Sequence, residues 1–200
     1  FSSTLGPNPV QSYFGGTKQQ TMWRAAELAA LGLSAGSEIQ SIALRLANAG
    51  TTVQDFRIKT QLSASINELT SSWVSTGWTT RFGPQSVATV TEWNTFTLSP
   101  AIVWDGSSNL LLEMNYSNED GGSTPRNTAR YDLDLPYNAT VHFSVDYWSA
   151  ASLDGYSIFP DDEFDSYSGP YLYAGRNQIR LGSSTGAAPS FTWNASPDLN

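Results

Sequence analysis

The chain has 200 residues, with ten basic and eighteen acidic side chains and a net charge of −8. That length suits one β-sandwich or barrel with a sizeable core, and an aromatic content of 12% argues against disorder. The negative charge disfavours nucleic acid and anionic membranes as partners, and no apolar run approaches the ~20 residues of a membrane-spanning helix. Cysteine is absent, which excludes disulfides, thiolate nucleophiles and cysteine metal ligands.

The elements, taken in chain order, predict an all-β fold with one short helix near the N-terminus. A helix is predicted over 21–33, capped by Thr21 and ended by Gly32. Many short strands without interleaved helices indicate an antiparallel, jelly-roll-like β-sandwich. Period-2 alternation of apolar and polar residues predicts these strands at 39–47, 53–60, 72–82, 87–98, 110–116, 139–148, 171–174 and 178–181.

The most regular alternation lies at 92–115, which reads as two strands joined by a turn. Pro100 is expected to interrupt the first strand. In the turn, Asp105 is expected to bond nearby backbone through its side chain. In the second strand, Glu113 and Asn115 are expected to face away from the core.

Two long loops, 118–136 and 149–170, are expected to carry function, because long ordered loops in compact domains tend to do so. The sandwich domain is predicted to span 1–182. A linker and a terminal strand-like segment around Phe191 follow at 183–200.

The single histidine, His142, lies in a predicted strand with Ser144 and Asp146 on the same, outward face. Neighbours on one strand face lie about 7 Å apart, whereas a catalytic triad needs hydrogen-bond contact among its members. A surface histidine is therefore predicted. No specific carboxylate pair, phosphate loop or HExxH zinc motif is present, and the chain is predicted not to be an enzyme.

Acidic side chains crowd the second long loop, and carboxylate oxygens are the ligands that Ca²⁺ prefers. The sequence predicts a structural calcium site here, with a solvated acidic loop as the alternative. The spacing is not that of an EF-hand. The candidate metal ligands are Asp154, Asp161, Asp162, Glu163 and Asp165, with Asp132 and Asp134 in the other loop.

Aromatic side chains among polar residues predict a glycan-binding surface, because flat sugar faces stack on aromatic rings. A protein interface is the alternative, since tyrosine and tryptophan are enriched there too, and inward packing is the common fate of any one aromatic ring. The candidate ligand-binding residues, expected to be exposed, are Trp73, Trp78, Trp148, Tyr156 and Tyr167.

The Gly/Pro-rich start and the strand-like end favour a second function. Extended arms of this kind add to the open sheet edge of a neighbouring molecule, and head-to-tail contacts build filaments. The alternative prediction is a self-assembling or protein-binding subunit of an extracellular fibre or adhesin.

Four segments together resemble an uncharacterised β-sandwich module of secreted Bacteroidetes proteins, which are commonly exported by the type IX system. The resemblance covers roughly 17–182 and is weakest at 118–170. It implies a secreted or surface-attached accessory domain, and it carries no catalytic residues over to this chain. The segments are TMWRAAELAALGLSAGSEIQSIALRL, FRIKTQL, EWNTFTLSPAIVWDGSSNLLLEMNYSN and RNQIRLG. The first prediction for function is therefore non-catalytic recognition of a polysaccharide or surface glycan outside the cell.

Overall fold

The computed structural model describes residues 7–156, 170–183 and 191–192. Two short helices, α1 (Ala25–Ala30) and α2 (Ala150–Gly155), accompany the strands. The strands are β1 (Gly16–Trp23), β2 (Glu38–Asn48), β3 (Val53–Ser63), β4 (Thr79–Val87), β5 (Glu92–Val103), β6 (Asn109–Ser117), β7 (Thr128–Ala129), β8 (Tyr131–Leu133), β9 (Thr140–Val145), β10 (Tyr171–Tyr173), β11 (Gly175–Asn177), β12 (Ile179–Ser183) and β13 (Phe191–Thr192).

The strands form two main antiparallel sheets. The larger sheet has the order β10-β9-β1-β6-β3-β4, and the smaller has the order β13-β12-β2-β5, with β7 beside β2. Strands β11 and β8 form a separate two-stranded antiparallel ribbon. The chain passes repeatedly from one sheet to the other, for example from β1 to β2 to β3. This arrangement confirms the predicted all-β antiparallel sandwich.

Two hydrophobic clusters divide the interior. The inner core lies between the sheets and includes Ile42, Phe56, Phe96 and Met114. The outer core lies on the opposite face of the larger sheet, and its members are Met22, Leu69, Trp73, Leu111, Tyr137, Ala139, Val141, Phe143, Val145 and Leu153. The larger sheet is therefore covered on both faces, which explains why every residue of β1 and β6 is buried.

The outer core corrects the expectation for the polar side of β6. Glu113 and Asn115 do point away from Met114, as the alternation predicts, but both are buried rather than solvated. Helix α2 and the segment 64–78 cover that face. Alternation identifies the residues that share a face, whereas burial of that face depends on distant segments.

The N-terminal helix is shorter than predicted. Thr21 belongs to β1, which pairs with β6 and β9 on its two sides, so tertiary pairing overrides the local helical preference. Helix α1 starts after Arg24, whose backbone N–H donates to the carboxylate of Glu27 at 2.7 Å. The predicted stop is confirmed, because Gly32 has a positive φ of 87° just beyond the helix.

The predicted loop at 149–170 contains a helix that the sequence pattern did not indicate. In α2, the Ser149 side chain accepts a hydrogen bond from the backbone N–H of Ser152 at 3.1 Å, which satisfies one unpaired donor of the first turn. Leu153 anchors the helix in the outer core.

Strand β5 runs through Pro100 instead of ending there. A shift in register between β2 and β5 accommodates this part of the strand, and β5 lies at a sheet edge, where a residue without an N–H is tolerated. The guanidinium of Arg81 in β4 donates to the carbonyls of Pro100 and Ala101 at 3.3 Å. Arg81 thereby joins the edge strands β4 and β5 of the two sheets.

The turn after β5 is confirmed. The carboxylate of Asp105 accepts hydrogen bonds from the hydroxyl and backbone N–H of Ser108 and from the N–H of Ser107. These bonds lower the pKa of Asp105 to about 2. Gly106 follows with a φ of 85°, a conformation that glycine adopts without strain.

Near the end of the chain, β13 pairs with β12, so the strand predicted around Phe191 belongs to the sandwich. Neither of the two helices in the described ranges is long and apolar enough to cross a membrane.

Candidate functional site

Four of the five predicted ligand-binding aromatics lie together on the outer face of the larger sheet. Trp73 belongs to the outer core, and Trp78, Trp148 and Tyr156 pack against it. The fifth, Tyr167, falls outside the described residues. The expectation of exposure is wrong for Trp73, whose side chain is 7% exposed, while the other three are half-buried.

The rings of Trp148 and Tyr156 pack against each other and against Phe143. The Tyr156 ring stacks on Phe143 at 4.9 Å and meets Trp148 edge-on at 5.1 Å. The indole N–H of Trp78 donates to the carbonyl of Val74 at 2.8 Å. The aromatic side chains thereby form part of the apolar cover of the outer core.

A pocket of about 360 Å³ opens in the segment that carries Trp73. Its volume lies within the range typical of small-molecule sites. Its lining combines an indole and aliphatic groups with hydroxyl, amide and carboxylate side chains, all from one stretch of chain: Ser65, Ile66, Asn67, Glu68, Leu69, Thr70, Ser72, Trp73 and Val74.

Buried polar side chains hold the pocket segment on the sheet. The amide of Gln20, in β1, bonds both the N–H and the carbonyl of Val74, at 2.9 and 2.8 Å. The amide of Asn109 donates to the carbonyl of Ile66 at 2.7 Å, and the N–H of Leu69 donates to the carbonyl of Asn138 at 2.8 Å. The pocket is therefore largely preformed, which reduces the entropic cost of binding a ligand. Sequence reasoning missed Gln20 and Asn109, because nothing in the pattern distinguishes a buried amide from an exposed one.

A cluster of charged side chains lies beside the pocket, under α2. The Glu113 carboxylate is 3.7 Å from Lys18 Nζ and 3.2 Å from Lys59 Nζ. Lys59 also pairs with Asp154, whose other carboxylate oxygen is 3.1 Å from Arg57. Lys18 Nζ donates to the backbone carbonyls of Asp154 and Tyr156, each at 2.9 Å. We call Lys18, Arg57, Lys59, Glu113 and Asp154 the charged cluster.

The protein environment shifts two pKa values in the charged cluster. Burial lowers the pKa of Lys18, and the negative charge of Glu113 counteracts that shift only in part. Burial by itself would raise the pKa of Asp154, but hydrogen bonding to Lys59 and the charges of Lys59 and Arg57 outweigh it, so the pKa is lowered. Lys18 also lies 5.3 Å from the Trp73 ring centroid, at cation–π distance. The cluster therefore joins β1, β3, β6 and α2 beneath the pocket.

The predicted metal ligands are not brought together within the described residues. Asp154 lies among the cations of the charged cluster, and Asp132 accepts a hydrogen bond from Gln178 at 3.0 Å. Asp134 is exposed. In the part of the chain that the structure describes, no three histidine or acidic side chains are placed to hold a metal ion. The remaining candidates, Asp161, Asp162, Glu163 and Asp165, lie outside the described residues, so calcium stays a prediction.

The expectation for His142 is wrong. The side chain is 4% exposed and points toward the inner side of the larger sheet, where its Nε2 lies 2.9 Å from the Ser144 hydroxyl. Sequence spacing had indicated that these two groups could not touch. On the other ring nitrogen, Nδ1 is 3.2 Å from the Gln19 amide oxygen. Gln11 from the N-terminal segment covers the pair.

This Ser–His pair is poorly suited to general-base catalysis. Burial lowers the pKa of His142 to about 3, whereas an efficient general base has a pKa near the working pH. The partner of Nδ1 is the neutral amide oxygen of Gln19, which stabilises an imidazolium ion less than the carboxylate of a catalytic triad does. The hydrogen bonds of the pair fit a polar part of the protein interior.

Comparison of this chain with protein-family models, curated proteins and solved structures finds no match.

Proposed function

We propose that this protein is a non-catalytic recognition module that works outside the cell and binds one sugar residue of a polysaccharide or surface glycan. The observation that carries the proposal is the preformed pocket of about 360 Å³ at 65–74. It presents the half-buried Ile66 and Val74 as apolar surface for a sugar ring, and several polar side chains for its hydroxyl groups.

The polar lining of the pocket supports a neutral, hydroxyl-rich ligand. Thr70 and Ser72 offer hydroxyl groups that both donate and accept, Asn67 offers an amide, and Glu68 offers a carboxylate. Glu68 and Asn67 are exposed. A sugar with adjacent hydroxyl groups satisfies such a mixed set of donors and acceptors better than a purely apolar ligand does.

Two adjacent serines provide a matched test of the pocket. Ser72 lines it, whereas Ser71 is exposed and does not. A glycan array would identify a ligand, and titration calorimetry would measure its affinity. Ser72→Trp is expected to fill the pocket and weaken binding about tenfold or more, while Ser71→Trp is expected to change binding less than about twofold. An array without a ligand, or equal losses in the two variants, would refute the proposal.

A protein-binding or self-assembling role is the second candidate, and one observation favours it. Strand β10 lies at an edge of the larger sheet, and its Tyr171 and Leu172 are exposed large side chains. An edge strand with such side chains is a place where another chain can pair. Light scattering coupled to size-exclusion chromatography tests this role: oligomers that dissociate in Leu172→Lys would support it, and a monomer at all concentrations would count against it.

We also propose that the acidic segment 161–165 binds a structural calcium ion. The same chromatography, repeated with calcium and with chelator, should be accompanied by thermal unfolding. A bound structural ion predicts a lower melting temperature in chelator. An unchanged melting temperature would leave the acidic segment as a solvated loop.

A further inference from the structure

The charged cluster brings an amine, a carboxyl carbon and an acid–base group together. The chain has two lysines, Lys18 and Lys59, and both lie in this cluster. Lys59 Nζ is in direct contact with Oδ1 of Asp154, so the carboxyl carbon lies one bond beyond the atom that the amine touches. The Glu113 carboxylate is 3.2 Å from the same Nζ. A nucleophile, an acceptor carbon and a base within hydrogen-bond reach are the groups that formation of an amide bond requires.

The fold holds these three groups in place. Lys59 in β3 lies opposite Glu113 in β6, so the two side chains share the outer face of the larger sheet. Helix α2 supplies Asp154, and its neighbour Leu153 is buried in the outer core. Lys59 and Asp154 are 95 residues apart in the chain, and the tertiary structure holds them in contact. Contact maintained in this way gives the amine a high effective concentration at the carboxyl carbon.

The two oxygens of Asp154 have different environments. Oδ1 meets Lys59 and accepts a hydrogen bond from the Asn115 amide at 3.0 Å. Oδ2 lies 3.1 Å from the guanidinium of Arg57. A cation beside Oδ2 stabilises the negative charge that develops on this oxygen when an amine adds to the carbon. Oδ1 is therefore the oxygen placed to leave.

Burial favours an uncharged product over the ion pair. The side chain of Glu113 is 2% exposed and that of Lys59 is 14% exposed. Ionised groups held away from water carry a desolvation cost, which a neutral amide avoids. The Asp154 side chain is 25% exposed, so a water molecule released there can reach the solvent.

We propose that Lys59 and Asp154 join in an isopeptide bond within the folded chain, with Glu113 as the catalytic proton carrier. Glu113 takes one proton from the Lys59 ammonium, and the neutral Nζ adds to Cγ of Asp154. The Nζ–Cγ bond forms and the Cγ–Oδ1 bond breaks. A second proton from Nζ and the proton on Glu113 go to Oδ1, which leaves as water, while Oδ2 becomes the amide oxygen. Glu113 ends ionised, as it began, and no other reactant is consumed.

The other lysine faces different atoms. Lys18 Nζ donates to the backbone carbonyls of Asp154 and Tyr156, each at 2.9 Å, and is 3.7 Å from Glu113. A backbone carbonyl has no oxygen that can leave as water without breaking the chain. Lys18 therefore stays unmodified and provides an internal control for Lys59.

The bond ties α2 covalently to the larger sheet. A cross-link between residues far apart in the chain restricts the unfolded state and so stabilises the folded one. It also replaces the ion pair of Lys59 and Asp154, so free energies argued from the ion pairs of the charged cluster apply to protein in which the bond has not formed.

Mass spectrometry of the purified, denatured protein tests the bond. The chain is expected to be lighter than its sequence by the mass of one water molecule. A protease that cleaves after lysine is expected to cut at Lys18 and not at Lys59, because it does not recognise an acylated Nζ. Fragmentation of the linked peptide is expected to place the link at Asp154.

Three variants distinguish the isopeptide bond from other losses of water. Asp154 precedes Gly155, and an Asp-Gly pair also loses water when it closes to a succinimide. Gly155→Ala, whose new Cβ meets no atom within 4 Å, disfavours that ring and is expected to keep the cross-link. Lys59→Arg keeps the positive charge and is expected to have the full sequence mass and a lower melting temperature. Glu113→Gln, with its fold verified by circular dichroism, is also expected to have the full mass.

Three results would overturn the proposal. The first is a folded wild-type protein that keeps the full sequence mass after prolonged incubation at neutral pH, which would leave Lys59 and Asp154 as an ion pair. The second is complete cleavage at Lys59 in a chain that has lost water. The third is the same loss of water in Lys59→Arg as in the wild type. If Glu113→Gln does not fold, the wild-type mass and the digest still decide whether the bond exists.

Discussion

Replacing Glu113 with glutamine removes the central negative charge of the charged cluster with little change in volume. In the native protein, three cations (Lys18, Arg57 and Lys59) face two anions (Glu113 and Asp154) beneath the pocket segment. In Glu113→Gln, the same three cations face Asp154 alone. Because the side chains of Glu113 and Lys18 are 2% and 5% exposed, water does little to screen the resulting repulsion.

The size of the effect follows from the distances. At 3.2 and 3.7 Å from the two ammonium groups, Glu113 gains about 5 kcal/mol from each pair with an effective dielectric constant of about 20. The cost of burying the carboxylate offsets more than half of this gain, so the expected loss is about 3–5 kcal/mol. Part of the loss comes from the new amide N–H₂, which faces the donors of Gln20 and Asn115.

Lys18→Met provides the control, because loss of the Lys18 charge leaves two cations facing two anions in the charged cluster. The variant loses the hydrogen bonds from Lys18 Nζ to two backbone carbonyls, at an expected cost of about 1–3 kcal/mol. Urea unfolding at neutral pH measures the free energy of unfolding of both variants and of the wild type. The melting temperature of Glu113→Gln should fall by roughly 6–20 °C for a chain of this size. A loss in unfolding free energy below about 1 kcal/mol in Glu113→Gln, or an equal loss in Lys18→Met, would contradict a stabilising role of the Glu113 charge.

Three further predictions concern acid stability and backbone conformation. Burial opposes ionisation of Glu27, but the hydrogen bonds and the charge of Arg176 outweigh burial and lower the pKa of Glu27 from 4.5. The ionised Glu27 therefore contributes its full stabilisation above about pH 4.5. This stabilisation is lost as the pH falls through the lowered pKa of the folded state. Urea unfolding at several pH values should therefore show a flatter acid dependence in Glu27→Gln than in the wild type; equal curves would contradict this. Burial lowers the pKa of His142 to about 3, so the unfolded chain takes up the proton first and stability falls as pH drops below about 6.5. The NMR signal of the single imidazole should not titrate between about pH 8 and 5. A shift of that signal near pH 6.5 would place the ring in solvent. Gly106→Ala should destabilise the protein by about 1–2 kcal/mol, because φ is 85° and the new Cβ would lie 2.9 Å from Ala35. Gly155→Ala in α2 meets no atom within 4 Å and should be neutral or stabilising by up to about 1 kcal/mol. The reverse order of melting temperatures in the two variants would contradict this prediction.

Local chemistry was sufficient to predict several parts of the fold. Strand β2, predicted at 39–47 from its alternation, carries Ile42, Leu44 and Leu46 on one face, and all three are buried in the inner core. The turn at Asp105 forms through the side-chain bonds that its position indicated. In each case the information lies within a few residues, because period-2 alternation and turn hydrogen bonds are short-range properties.

The candidate site was predicted less well, because its environment is built by contacts between distant residues. Trp73 and Trp148 were chosen as exposed aromatics among polar residues, but both pack in or against a core that the sequence pattern did not reveal. The amide of Gln20 holds Val74, 54 residues away in the chain. No local pattern encodes such a bond, so the pocket became visible only with the fold.

By itself, the sequence determined that the chain forms an antiparallel sandwich, which residues alternate along most of its strands, and where helix α1 ends. The tertiary structure decided that both faces of the larger sheet are covered, that Thr21 lies in a strand, and that His142 and Glu113 are buried. The physical reason is that alternation assigns residues to one face or the other without specifying what covers that face. Helix α2 and the segment 64–78 cover the outer face here, and their packing depends on long-range apolar contacts. The free energy gained from these contacts outweighs the cost of burying the polar groups of this face, which find hydrogen-bond partners.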